Sequence, residues 1–206
     1  MRGFIKVKSI LSIPFFYNFL QNIVGAQKAR KNFVSRHLPL KPGDRLLDLG
    51  CGTAELLEHL PKDIIYHGYD LSEVYIEQAK KKFPNRGSFC CQDVSKLKIP
   101  DEDRFDWVVS TGLLHHLSDE EVLRLSSSIK SLLKDSGKFI TLDCGYTEGQ
   151  SKIARFFARQ DRGRFVRRDE DYVSLMKKTF SRVEKFIYEK PLRISYTHII
   201  LESSNV

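Results

Sequence analysis

Three acidic residues stand at the ends of successive apolar runs in the first half of the chain. Asp48 lies in the sequence LDLGCGT, Asp70 in YDLS and Asp93 in CQDV. A carboxylate accepts hydrogen bonds, so Asp70 is suited to both hydroxyls of a ribose and Asp93 to the amino group of an adenine. Each acid alone is more often a turn or cap residue. Three acids at successive strand ends indicate a nucleoside-binding site.

Two glycines separated by one residue follow Asp48. Gly50 and Gly52 allow a tight turn and a close approach of the backbone to a ligand, and a helix that begins there points its amino terminus at that ligand. The dinucleotide fingerprint G-x-G-x-x-G would have a third glycine where Glu55 stands. Because an acid repels phosphate, this motif argues against a pyrophosphate site of the NAD type.

Two adjacent histidines, His115 and His116, lie in the sequence LLHHL directly after a predicted strand. An imidazole with an unperturbed pKa of about 6.5 suits the removal of a proton from an acceptor at neutral pH. The alternative is a packed histidine that orders the loop. Both interpretations stay open on the sequence alone.

Strand-like and helix-like segments alternate along the chain. Strands are predicted over residues 45–49, 64–69, 87–91, 105–110 and 138–142. Helices are predicted over 53–60, 72–83, 118–132 and most of 150–180. The helix at 118–132 begins with an S-x-x-E capping box and has an apolar stripe of Val122, Leu125, Ile129 and Leu132. Two β-rich runs, 183–188 and 197–201, predict an antiparallel pair, so the order of elements indicates a three-layer α/β sandwich.

Residues 43–145 resemble class I methyltransferases that use S-adenosylmethionine (SAM), of the broad type 11 group. The resemblance rests on DLGCGT, GYDLS, QDV and FDWVVSTGLLHHL. It implies a Rossmann-like fold with a seven-stranded, mostly parallel sheet in the order 3-2-1-4-5-7-6, in which the last strand is antiparallel. We expect one methyltransferase domain over residues 1–206, with an N-terminal helical cap over 1–40 and a helical substrate cap over 150–180.

The resemblance also implies roles for the residues of these motifs. SAM would be bound by Asp48, Gly50, Cys51, Gly52, Asp70, Leu71, Asp93, Val94 and Thr111. Within this set, Asp48 would contact the methionine part, Asp70 the ribose and Leu71 the adenine. His115 and His116 stand where methyl transfer occurs in the family, which makes them the candidate catalytic residues. No metal is predicted, because the cysteines and histidines lack metal-ligand spacing.

The net charge of +8 is distributed unevenly along the 206 residues. Residues 46–150 carry a net charge of −6, between segments of +8 at 1–45 and +6 at 151–206. Six arginines fall within residues 155–168, and arginine binds phosphate or carboxylate with two parallel hydrogen bonds. We therefore predict that Arg162 and Arg167 bind an anionic acceptor. A solvated basic helix face is the alternative.

The N-terminal residues allow two interpretations. Basic residues precede an apolar stretch over 10–20, and VGA at 24–26 resembles a signal-peptidase site. However, the large apolar residues between 15 and 24 recur with helical spacing, which favours an amphipathic helix that lies on the domain. No apolar run reaches the roughly 18 residues of a membrane span. The four cysteines form no CxxC pair, so we predict a cytoplasmic protein with reduced thiols.

Motifs that the sequence lacks narrow the class of methyl acceptor. The [DNS]-P-P-[YF] motif of base-amine methyltransferases would lie after the fourth strand, where STGL stands instead. The leading hypothesis is a methyltransferase for a small or lipid- or sugar-linked anionic acceptor, with peripheral membrane contact as an option. An RNA or tRNA methyltransferase is less favoured, because no appended binding domain or aromatic-interleaved basic motif is present. A SAM-binding regulatory protein without turnover is the third hypothesis.

Overall fold

A seven-stranded sheet lies at the centre of the part of the chain that the computed structural model describes, residues 25–94, 104–161, 163–189, 191 and 195–205. Its strands are β1 (Arg45–Leu49), β2 (Ile65–Asp70), β3 (Ser88–Cys91), β4 (Phe105–Thr111), β5 (Leu133–Cys144), β6 (Arg182–Glu189) and β7 (Thr197–Ser204). They lie in the order β3-β2-β1-β4-β5-β7-β6. Strands β1 to β5 pair in parallel, and β7 is antiparallel to both β5 and β6. The predicted sheet order is confirmed.

Helices cover both faces of the sheet. They are α1 (Ala26–His37), α2 (Glu73–Lys82), α3 (Asp119–Leu132), α4 (Lys152–Gln160) and α5 (Asp169–Lys177). One core cluster joins α3 and α5 to the sheet, and the other joins α1 and α2 to the opposite face. The predicted N-terminal helix over residues 15–24 lies outside the described residues. Among the described helices, none is long and apolar enough to cross a membrane.

Helix α3 forms as the sequence predicts. The Ser118 hydroxyl accepts from the backbone N–H of Glu121, and the Glu121 carboxylate accepts from the backbone N–H of Ser118, which completes the capping box. The four residues of the predicted apolar stripe are all at most 4% exposed: Val122, Leu125, Ile129 and Leu132. This stripe therefore fixes the helix against the sheet through apolar burial.

The predicted helix over residues 53–60 is wrong. A 3-10 helix of five residues, Glu55–His59, stands there instead. Gly52 and Ala54 have φ of 56° and 58°, so the backbone is left-handed where an α-helix would begin. Pro61 then disfavours helical backbone at Leu60, whose ψ is 150°. These two constraints leave room for little more than one turn.

Strand β5 begins earlier than predicted. Asp135 and Gly137 are residues that favour a turn, and the strand was predicted only over 138–142, whereas it runs over Leu133–Cys144. The pairing with β4 shifts between Phe105, opposite Leu133, and Trp107, opposite Lys138. The turn-forming residues are accommodated as an irregularity inside the strand rather than as a break between elements.

Shortening the apolar stripe of α3 should destabilise the protein. Ile129 is fully buried, and removing such a side chain costs about 2–5 kcal/mol. Ile129→Ala is therefore expected to lower the free energy of unfolding by that amount in urea titrations. Ser127→Ala, an exposed position on the same helix, is the control. A loss below about 1 kcal/mol for Ile129→Ala would contradict the assigned packing.

Candidate active site

A cavity of about 610 Å³ opens at the carboxyl ends of the central parallel strands. Ligand sites of α/β sheets lie at this edge, where the strand order reverses on either side of β1. Many of the predicted site residues line the cavity: Asp48, Gly50, Cys51, Gly52, Asp70, Thr111, His115 and His116. The cavity is also lined by the described part of the predicted N-terminal cap, since Arg30 and Phe33 of α1 contribute to its wall.

The glycine turn after β1 is held by hydrogen bonds to the end of β2. The backbone N–H groups of Gly50 and Cys51 donate to the carbonyl oxygen of Tyr69 at 2.8 and 3.0 Å. The φ of Gly50 is 73°, a left-handed conformation that favours glycine. Gly50, Cys51 and Gly52 line the cavity, so this turn borders whatever occupies it.

Asp70 fixes the same turn from the second strand. Its Oδ2 accepts from the backbone N–H of Gly52 at 2.9 Å, and its Oδ1 accepts from that of Ser72 at 2.8 Å. A carboxylate oxygen has more than one acceptor site. Asp70 can therefore keep these bonds and accept further hydrogen bonds from two hydroxyl groups of a ligand.

Asp48 is buried at the floor of the cavity and 1% exposed. Its Oδ2 accepts from the Tyr66 hydroxyl at 2.7 Å, and its Oδ1 has no hydrogen-bond partner among the described residues. Burial raises the pKa of Asp48 to about 7, the Tyr66 hydrogen bond opposes this shift, and the charge of Asp70 adds to it. An unpartnered buried acceptor that faces a cavity is suited to a cationic donor on a ligand.

His115 is held between two carboxylates and is 5% exposed. Its Nδ1 lies 2.8 Å from Oδ1 of Asp143, and its Nε2 lies 3.1 Å from Oδ1 of Asp161. Burial alone would lower the pKa of His115, but the hydrogen bonds and charges of Asp143 and Asp161 outweigh it and raise the pKa to about 9. At neutral pH the ring therefore carries both protons, and both nitrogens are donors.

A turn that includes Asp161 and Gly163 packs closely against the imidazole of His115. Gly163 donates its backbone N–H to Asp161 at 2.8 Å. A Cβ on Gly163 would lie 2.2 Å from Cδ2 of His115, so glycine is required for this close approach. Burial opposes ionisation of Asp161, but the His115 hydrogen bond and the Gly163 N–H hold the pKa of this carboxyl well below its usual range.

His116 differs from its neighbour in position. It is exposed and lines the cavity, and the centroid of its ring lies 4.3 Å from that of His115. The two histidines therefore present one buried, doubly hydrogen-bonded ring and one ring at the cavity surface.

Four cavity or near-cavity residues were missed by the sequence prediction: Asp143, Asp161, Tyr196 and His198. Tyr196 donates its hydroxyl to Asp161 at 3.2 Å. Burial lowers the pKa of His198 to about 4, so its ring is neutral at physiological pH. The sequence signals were a buried acid at a strand end (ITLDC) and a Tyr-x-His pair at strand spacing, which places both side chains on one face.

Arg167, a predicted acceptor ligand, is bonded within the protein. It is buried, and its five N–H groups are matched by five contacts: the carbonyl oxygens of Leu114, Phe165 and Leu117 at 2.9, 3.0 and 2.6 Å, and two contacts with Asp119 at 2.8 Å. A guanidinium has five donors, so Arg167 fastens the segment after β4 instead. Arg162, the other predicted acceptor ligand, lies outside the described residues.

The residues predicted to contact an adenine do not line the cavity. Leu71 is 72% exposed at the end of β2, an orientation open to stacking. Asp93 and Val94 are not among the residues that line the cavity, and Val94 packs into the core beside α3. Their predicted contacts with an adenine stay predictions.

Comparison with known proteins finds a family match over part of the chain. Residues 46–137 match a family described as a methyltransferase domain. This part of the chain is therefore similar to methyltransferase domains. The match covers the glycine turn, Asp48, Asp70 and the two histidines, all of which line the cavity.

Individual relatives of the methyltransferase domain differ in what they act on. The eEF1A lysine and N-terminal methyltransferase of Mus musculus is 30% identical over 161 residues, which cover 70% of this chain and 23% of that protein. The 27-O-demethylrifamycin SV methyltransferase of Amycolatopsis mediterranei is 35% identical over 100 residues, which cover 45% of this chain and 36% of that protein. The chain thus spans about a third or less of the length of these relatives.

A solved structure with bound SAH has the same fold. Magnesium protoporphyrin IX methyltransferase from Synechocystis PCC 6803 superposes with a TM-score of 0.66 at 21% identity, over 91% of this chain and 87% of that one. The residues of the cavity fit SAM on their own chemistry. The unpartnered Oδ1 of Asp48 suits the ammonium of its methionine part, and the carboxylate of Asp70 suits its ribose hydroxyls.

Binding of SAM should depend on the ionisation of Asp48. With a pKa of about 7 in the ligand-free protein, the carboxyl is protonated at lower pH and then lacks the charge that attracts an ammonium. We expect the Kd for SAM to rise as pH falls from 8 to about 6, by roughly tenfold per pH unit at the steepest. Titration calorimetry at several pH values measures this.

Asp48→Asn is the matched variant for this prediction, since it keeps the shape and removes the titration. It should bind SAM more weakly at pH 8 and show a flatter pH dependence. A wild-type Kd that does not change with pH would contradict the assigned role of Asp48.

Proposed function

We propose that this chain transfers the methyl group of SAM to a small or lipid- or sugar-linked acceptor that carries negative charge. The observation that carries the proposal is a second cavity of about 410 Å³, lined by Tyr146, Arg155, Arg159 and Arg168. Consecutive residues of the chain line the two cavities, since Arg159 lines the second and Gln160 lines the first.

The arginines of the second cavity are without acidic partners among the described residues. Within the described ranges, no carboxylate lies within 4.0 Å of the guanidinium groups of Arg155, Arg159 and Arg168. All three are exposed. Three like charges around one opening repel one another until an anion neutralises them, and guanidinium groups suit phosphate or carboxylate. These residues replace Arg167 as the proposed anion ligands of the acceptor, while Arg162 remains a candidate.

SAM supplies an electrophilic methyl group on a sulfonium, so the protein must hold an acceptor in line and accept its proton. We assign the proton acceptor to His116, which lies at the cavity surface. His115 is the weaker candidate, since its pKa of about 9 leaves the ring protonated and both nitrogens are bonded. We assign His115 a positioning role through Asp143 and Asp161.

Similarity to relatives does not select the acceptor. By their names, one relative acts on a protein and another on a rifamycin. The proposal for an anionic small-molecule acceptor therefore rests on the arginines of the second cavity. RNA methylation and SAM binding without turnover remain the alternatives, and each has its own readout.

The direct test is a screen of metabolite and lipid extracts with SAM labelled in its methyl group, followed by identification of the labelled product. A labelled anionic metabolite or lipid supports the proposal. Labelled RNA, with binding that weakens steeply with salt, would replace it with the first alternative. SAM binding with no labelled product from any extract would favour the regulatory alternative.

Removing the arginines should weaken acceptor capture alone. Arg155→Ala/Arg159→Ala is expected to raise the acceptor KM by roughly tenfold or more, because each charged hydrogen bond contributes about 1.5–3 kcal/mol, and to leave the Kd for SAM unchanged. Lys80→Ala/Lys81→Ala, which removes two exposed charges in the last turn of α2, is the charge-matched control. A neutral acceptor, or a double variant with wild-type kinetics, would contradict the proposal that these arginines bind an anionic acceptor.

Substitutions of the two histidines should have different kinetic effects. His116→Gln is expected to lower kcat by about 10²–10⁴, because a general base contributes that much. It should also remove the acidic limb of the pH profile of kcat measured at saturating SAM, where weaker SAM binding does not contribute. His115→Gln should lower the melting temperature and the kcat of the folded enzyme while it keeps that limb. The reverse pattern would assign the base to His115.

A further inference from the structure

The outer face of α4 carries large apolar side chains in solvent. Ile153 and Phe156 are 60% and 57% exposed, whereas Ala154 and Ala158 are each 3% exposed and form the buried side of the helix. A surface helix normally buries its large apolar residues and exposes polar ones. In α4 the small residues face the protein and the large ones face away from it, which marks the outer face as a contact surface.

Basic residues share this outer face. Phe156 lies four residues after Lys152 and three before Arg159, so the three side chains are neighbours on one helix surface. Arg155 adds a further charge one turn before Arg159. The sequence of α4, KIARFFARQ, contains no acidic residue. The face therefore combines two exposed apolar side chains with three positive charges.

We propose that this face of α4 docks on the surface of a bilayer that contains anionic phospholipid. Ile153 and Phe156 would enter the boundary between headgroups and acyl chains, and Lys152, Arg155 and Arg159 would lie at the level of the phosphates. The second cavity, lined by Arg168 as well as by Arg155 and Arg159 of α4, suits a single headgroup phosphate.

The charge and the apolar residues of this face favour an anionic bilayer over two other occupants, a second copy of the chain and a nucleic acid. A second copy of the chain that met this face symmetrically would bring the same cations opposite one another, which opposes association. A nucleic acid would use the arginines but would gain little from an exposed isoleucine. An anionic bilayer is complementary to both the charge and the apolar side chains.

The proposal is independent of methyl transfer, since it concerns where the protein sits rather than what it methylates. It shares Arg155 and Arg159 with the proposed acceptor site. The decisive variants are therefore those of the apolar side chains, which should leave the capture of a water-soluble acceptor intact.

The test is sedimentation of the full chain with vesicles of phosphatidylcholine mixed with phosphatidylglycerol, compared with phosphatidylcholine alone. The wild type is expected to bind the mixed vesicles, with a loss of binding in high salt and on pure phosphatidylcholine. Ile153→Ser/Phe156→Ser should reduce the partition coefficient by about tenfold or more at an unchanged melting temperature, because both side chains lose their burial in the bilayer.

Two controls match the variants in kind. Ile65→Ser/Val74→Ser changes apolar residues that are 46% and 55% exposed elsewhere on the surface and should bind vesicles like the wild type. Lys80→Ala/Lys81→Ala removes two positive charges elsewhere on the surface. This variant should reduce binding to the mixed vesicles less than Arg155→Ala/Arg159→Ala does.

Four results would overturn the docking proposal. They are wild-type protein that stays in the supernatant of mixed vesicles, equal binding to pure phosphatidylcholine, wild-type binding by Ile153→Ser/Phe156→Ser, and a dimer that this variant converts to a monomer in sedimentation velocity. The last result would assign the face to self-association instead. None of these results bears on whether SAM is bound or a methyl group transferred.

Discussion

The ion-paired imidazole of His115 connects three segments that are far apart in sequence. Its partners are Asp143 at the end of β5 and Asp161 after α4, while the ring itself belongs to the turn after β4. Two carboxylates and one imidazolium leave a net negative charge in a buried site. Removing one partner from such a group leaves an uncompensated charge, which costs several kcal/mol. The cavity wall therefore depends on all three side chains together.

Arg167 extends this arrangement around the same turn. Its guanidinium holds the carbonyl oxygens of Leu114 and Leu117, and the backbone N–H of Phe165 donates to the carbonyl oxygen of His115 at 2.9 Å. The segment from Asp161 to Arg167 is thus fastened to the turn at both of its ends. Since α4 immediately precedes this segment, the same contacts set where α4 lies relative to the cavity.

The parts of the fold that could be predicted were those encoded locally. The capping box at Ser118, the stripe of α3 and the alternation of strands depend on spacing within one element, and sheet order followed from the family resemblance. The contact of His115 with Asp161 joins residues 46 positions apart through a turn that no periodic pattern marks. The 3-10 turn after β1 was missed because a left-handed Ala54 is set by tertiary structure rather than by propensity.

The arginine-rich segment shows why composition alone could not assign its roles. Arg167 is buried with five donors satisfied, whereas Arg155 and Arg159 are exposed beside large apolar side chains. The identical residue type is therefore bonded within the fold at one end of the run and exposed to solvent at the other. What separates them is the supply of acceptors: carbonyl oxygens and Asp119 surround Arg167, whereas α4 contains no acidic residue that could pair with Arg155 or Arg159.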